Sequence, residues 1–189
     1  MLLVSTATLS LATAPIAFAQ NNDVDAYDGT VNADCMNQTP VGATPTDGRF
    51  GNDVSGLAHC VGSNSDSNAI SGIVNTLGAS ADRNIISGQN NSLGDSSSYN
   101  VMSGGNNNFG TNSDSNIIGG INNDAGINNT ANIIGGLNHT LGDSSSYNII
   151  GGQLNTLGND ADNNAVSGYS NTLGIDADYN AVSGRSNTL

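Results

Sequence analysis

Asparagine returns every 16 residues along most of this chain, at Asn52, Asn68, Asn84, Asn100, Asn116, Asn132, Asn148, Asn164 and Asn180, with no anchor missed. With the anchor as position 0, position 4 is Gly in every unit, from Gly56 to Gly184, and position 10 is Gly wherever the chain reaches it. Both glycines are expected to mark turns with positive φ. Two apolar columns keep the same phase: position 2 (Val54, Ile70, Ile86, Met102, Ile118, Ile134, Ile150, Val166, Val182) and position 9 (Val61, Leu77, Leu93, Phe109, Ala125, Leu141, Leu157, Leu173, Leu189). A fixed period of this kind predicts one structural unit per repeat, each too small to bury itself and each stacked on the next.

Composition narrows the choice. The 189 residues carry 16 Asp+Glu against 3 Lys+Arg, a net charge of −13, so a phosphate backbone would be repelled and no nucleic-acid partner is expected. Glu, Lys and Trp are absent, which removes the usual surface of amphipathic helices and argues against a bundle or coiled coil. With 4% aromatic residues and 25 glycines, a conventional core of large side chains cannot be assembled. Disorder would suit the composition, but a disordered chain has no reason to hold glycines and apolar residues in phase.

The predicted fold is therefore all-β: a parallel β-roll or β-solenoid with 16-residue coils over residues 52–189, counting nine coil starts with the last truncated. Each coil holds a short strand at N-[IVA]-[IVM]-[SG]-G, a second at N-[TS]-L-G, and a polar turn such as Asp95-Ser96-Ser97-Ser98. Rungs about 4.8 Å apart make the body about 40 Å long. The anchor Asn has two readings: an inward ladder of stacked amides, or a turn former. Position 1 (Asp53, then Ala69, Ile85, Val101, Ile117, Ile133, Ile149, Ala165 and Ala181) must point away from position 2, because strand side chains alternate. It forms an outward apolar stripe, and a contiguous stripe predicts self-association.

Before the repeat, residues 2–19 form an apolar run ending in Ala17-Phe18-Ala19, so residues 1–19 are expected to be a signal peptide and the protein exported. No Lys or Arg precedes the run, and Leu189 stops one residue before the next Gly; both features suggest a piece of a longer reading frame. Residues 20–51, rich in Asp, Asn and Gly, are expected to form an irregular cap. Cys35 and Cys60, the two cysteines of an exported chain, are expected to pair and tie cap to body.

No catalytic constellation is visible, and no enzyme is expected. His59 and His139 replace Asn at position 7, five coils apart, with no recurring acid or nucleophile beside them. No cofactor is expected. The nearest approach to a metal site is Asp160 and Asp162 with Asp176 and Asp178 one coil later, where a Ca²⁺ ion would relieve like-charge stacking; the alternative is a hydrated turn with splayed aspartates. Tyr99, Tyr147 and Tyr179 share position 15, and the heptapeptide Gly94–Asn100 recurs unchanged as Gly142–Asn148. They are read either as recognition aromatics or as turn residues left by duplication.

The unit N-[AIV]-[IV]-[SG]-G-x-x-N-[TS]-L-G, as in Asn164–Gly174, resembles the YadA-like head repeat of trimeric autotransporter adhesins over residues 52–189. The resemblance implies a left-handed β-roll, a homotrimer packed through the apolar strand (Ala69, Ile85, Val101, Ile117, Ile133, Ile149, Ala165, Ala181), display at the cell surface or outer membrane, and binding to an extracellular protein or glycan surface. The family's coil is shorter than 16 residues, and neither its heptad stalk nor its membrane barrel occurs in this sequence; any anchor is expected outside it. The alternatives are a structural filament or coat solenoid and, on the broken Thr column at position 8, an ice-binding solenoid.

Overall fold

A computed structural model describes residues 52–57, 59–62 and 64–189. The expected signal peptide (1–19), the cap (20–51) and Cys35 lie outside the described residues. The chain winds as a parallel β-solenoid of two sheets. The nine-stranded sheet stacks β1 (Asp53–Leu57), β3 (Ala69–Ile73), β5 (Ile85–Ile86), β7 (Val101–Met102), β9 (Ile117–Ile121), β11 (Ile133–Leu137), β13 (Ile149–Gln153), β15 (Ala165–Val166) and β17 (Ala181–Val182). The eight-stranded sheet stacks β2 (Cys60–Val61), β4 (Thr76–Leu77), β6 (Ser92–Leu93), β8 (Asn108–Phe109), β10 (Asp124–Ala125), β12 (Thr140–Leu141), β14 (Thr156–Leu157) and β16 (Thr172–Leu173). Register is that of the repeat, residue i pairing with i+16: Ile118 with Ile134, Leu141 with Leu157. The sequence places both strands of each coil correctly.

The interior is a narrow stack of identical layers. Position 2 of one sheet faces position 9 of the other, and from Ile70 to Leu173 these side chains are buried. Two large apolar residues per coil give roughly 3–6 kcal/mol of burial, too little to close one coil but additive along the axis. A third wall completes each layer. Position 13, read from sequence as part of a polar turn, points inward, and Ser65, Ala81, Ser97, Ser113, Asn129, Ser145 and Ala161 are buried. Beside it runs a short ladder of bridges, Asp114 to Thr130 to Ser146.

The anchor Asn is an inward ladder, which decides between its two readings. Asn116 donates its backbone N–H (2.9 Å) and one Nδ2 hydrogen (3.1 Å) to Asn100 Oδ1, and its other Nδ2 hydrogen to the Asn129 carbonyl at 2.9 Å. Asn132 repeats this on Asn116. Position 7 builds a second buried ladder: Asn107 donates to Asn91 Oδ1 and to the Ser103 and Gly120 carbonyls. Burying two amides per coil is tolerable because each polar atom finds a partner.

The two glycine columns have different causes. Position 4 does carry positive φ, from 96° to 126°, and a Cβ on Gly72 would lie 2.0 Å from the Gly88 carbonyl oxygen. Position 10 does not have the expected positive φ. Its constraint is steric: a Cβ on Gly78 would meet the Asp95 backbone nitrogen at 2.4 Å, and one on Gly94 the Thr111 nitrogen at 2.6 Å. The left-handed corners instead fall at positions 6, 12 and 15, on non-glycine residues such as Val74, Asn90, Ser96 and Tyr99. Asn90, Ser96 and Tyr99 are held there by N–H bonds to the preceding coil, to the Ile73, Ala79 and Asp82 carbonyls.

Candidate self-association surface

Parallel pairing in exact repeat register turns every position of the coil into a straight column, so position 1 becomes a stripe on the outer face of the larger sheet. Ile85, Val101, Ile117, Ile133 and Ile149 follow one another across β5, β7, β9, β11 and β13, with Ala165 and Ala181 continuing the line. The five large residues are between 38% and 56% exposed, whereas their position 2 neighbours are buried. Ala69, one rung earlier, is half-buried. Position 3 beside the stripe carries only Ser or Gly, from Ser71 through Gly119, Gly135 and Gly151 to Ser183. At position 5 of the same strands Ile73 and Ile121 are exposed again. The face is thus an apolar ridge flanked by a shallow furrow of small residues, free of charge from Ala69 to Gln153.

The histidines belong to the position 7 ladder and are buried. His139 Nδ1 accepts the Asn155 backbone N–H at 3.1 Å, and its Nε2 lies 3.1 Å from the Gly135 carbonyl. His59 repeats this with Asn75 N–H at 3.1 Å and the Ser55 carbonyl at 2.8 Å. Both contacts are satisfied only by a neutral ring with its proton on Nε2. Each imidazole therefore copies the acceptor and donor of the Asn it replaces. Burial lowers the pKa of His139 from its ordinary 6.5, and protonation would also aim Nδ1–H at the Asn155 N–H.

The aspartates singled out for Ca²⁺ stand in two separate columns. At position 14, Asp162 Oδ1 accepts the Ser146 N–H at 2.6 Å and Asp178 Oδ1 the Asp162 N–H at 2.8 Å. Their carboxylates cap backbone donors of the coil before. Asp160 and Asp176 occupy left-handed corners and bond through their backbone N–H groups to the Asp143 and Asn159 carbonyls. Among the described residues no group of three or more His, Cys or Asp side chains is gathered to hold a metal ion. Cys60, on β2, is disulfide-bonded; Cys35, expected as its partner, lies outside the described residues.

Tyr99, Tyr147 and Tyr179 line one exposed edge at position 15, at 56%, 63% and 81% exposure. Sequence reasoning missed the two arginine–tyrosine contacts. Arg83, one coil before Tyr99, lies over its ring with the guanidinium carbon 5.3 Å from the centroid, and donates a hydrogen bond to the hydroxyl at 2.8 Å. In the position 5 column Arg185, one coil after Tyr169, lies 5.0 Å over that ring. The signal was the 16-residue spacing of each pair.

No protein-family model and no curated protein matches this chain.

Proposed function

We propose that this chain is a non-enzymatic surface adhesin head, in which three copies pack through the position 1 stripe into a rigid rod exported to the cell surface. The observation that carries the reading is that stripe: a continuous line of in-register Ile and Val side chains half open to water. Burying the open half of one such side chain is worth about 1 kcal/mol, so five give about 5 kcal/mol per copy. That is at the lower end of the 4–15 kcal/mol lost on association, and Ile73 and Ile121 must add their exposed area. A trimer covers every stripe at once around a common axis, leaving no copy with an open face. The repeat's likeness to adhesin heads and the export-type segment at residues 2–19 support the same assignment.

Light scattering on residues 20–189 tests it. The expected mass is three times that of the chain, and Ile117→Asp with Ile133→Asp, both on exposed positions, is expected to give a monomer with unchanged far-UV circular dichroism. A wild-type monomer at about 50 μM, or a double variant that stays trimeric, would overturn the reading.

A further inference from the structure

The position 15 edge carries its own template for a ligand. In the heptapeptide Gly94–Asn100, Tyr99 has φ 61° and sends its N–H to the Asp82 carbonyl at 3.1 Å. In the identical heptapeptide Gly142–Asn148, Tyr147 has φ 59° and sends its N–H to the Thr130 carbonyl at 3.0 Å. Tyr179 repeats this with φ 58° and the Asp162 carbonyl at 3.0 Å. The backbone thus presents all three rings alike. What differs is the residue one coil earlier in the same column. Before Tyr99 it is Arg83, stacked on the ring; before Tyr147 it is Ala131 and before Tyr179 it is Asn163, both in the same left-handed conformation. Neither side chain carries a cation. Among the described residues the two arginines are committed to Tyr99 and Tyr169, so Tyr147 and Tyr179 present open faces.

We infer that Tyr147 and Tyr179 form a docking edge for an arginine-bearing segment of a partner protein, each ring receiving a guanidinium as Tyr99 receives Arg83. Charge favours this occupant. Asp162 and Asp178 stand in the adjacent column, one carboxylate oxygen of each held by a backbone N–H, and the chain carries −13 overall. A guanidinium over a tyrosine face with carboxylates beside it gains from both the ring quadrupole and the charge. The two rings are two coils, roughly 10 Å, apart, which three residues of an extended chain span at about 3.3 Å each. The expected segment therefore carries arginine at every third residue. This inference goes beyond the adhesin reading by naming the chemistry of the bound surface, and it does not depend on trimer formation.

The test is calorimetry of residues 20–189 with the synthetic peptide (Arg-Gly-Ser)₄, at about 0.15 M NaCl so that long-range attraction is screened. Tyr147→Leu with Tyr179→Leu keeps the net charge and is expected to weaken binding at least about tenfold. Ala131→Arg, which copies Arg83, is expected to weaken it severalfold by filling the Tyr147 slot from within. Tyr99→Leu, whose slot is already filled, is expected to change it less than about twofold. Peptide that binds the double variant as well as wild type reports only the acidic field and overturns the inference, as does no binding to wild type. Light scattering of the same samples judges the trimer separately.

Discussion

Asn116→Ala measures what the amide ladder is worth. The substitution removes four hydrogen bonds: those from Asn116 Nδ2 to Asn100 Oδ1 and to the Asn129 carbonyl, and those accepted by Asn116 Oδ1 from the Asn132 backbone N–H and Nδ2. Asn100 Oδ1 keeps a donor, because the residue 116 backbone N–H remains at 2.9 Å. Two groups are left without partners: the Asn132 N–H and one Asn132 Nδ2 hydrogen, since the Asn129 carbonyl keeps the Asp114 N–H at 2.9 Å. At about 1–3 kcal/mol for each buried orphan the cost is about 2–6 kcal/mol, with the lower half expected if water enters the space. Ser103→Ala, on the half-exposed furrow one coil earlier, is the control and is expected within about 0.5 kcal/mol of wild type. Guanidinium unfolding followed by circular dichroism gives the global change. Hydrogen exchange at the Asn132 amide gives the local one, and it should accelerate while amides three coils away do not. A loss under about 1 kcal/mol with unchanged Asn132 exchange would mean that the anchor works as a turn former, and would refute the ladder energetics.

Other outcomes follow from the same geometry. His139 has its folded pKa lowered, so below 6.5 the unfolded chain takes up the proton first and stability falls with acidity, by up to about 1.4 kcal/mol per pH unit, levelling off below the folded value. His139→Asn, which restores the residue found in most coils, should reduce the difference between denaturation midpoints at about pH 5 and about pH 7.5; an unchanged difference would show that the imidazole contributes nothing to it. Gly120→Ala combines a φ of 104° with a Cβ 1.9 Å from the Gly136 carbonyl oxygen, and should cost more than about 3 kcal/mol or abolish folding. Gly135→Ala, one position earlier in the next coil, meets nothing within 4 Å and should be neutral within about 0.5 kcal/mol by thermal unfolding.

The contrast between those two glycines shows where the sequence is legible. Any property that recurs at one phase becomes a column, so Ile118 could be assigned to the core and Ile117 to the outside from alternation alone, and both assignments hold. The position 13 wall was hidden because its residues, Ser97 and Ala161 among them, are small and mixed in polarity, and hydrophobic periodicity registers neither. The left-handed corners were hidden because residues such as Leu154 and Tyr99 avoid that region in isolation. They adopt it because the neighbouring coil supplies a carbonyl at the right height. That is a long-range cause, absent from any local window. The exposed apolar stripe at position 1 was legible, since exposure there follows from strand geometry. The Tyr99 and Arg83 pair was readable only once residues 16 apart were known to be neighbours.

Repeat register also decides which rearrangements of the gene this protein can survive. Every column is a straight line, so excising residues 116–131 would join Ser115 to Asn132 and leave each ladder, each glycine and each apolar row continuous, the rod one rung shorter. Removing one residue fewer would misalign all columns beyond the cut, setting inward amides against outward isoleucines. Length in this molecule is therefore a discrete variable. The unchanged heptapeptide at Gly94 and Gly142, three whole units apart, is what a history of copying in such steps would leave behind.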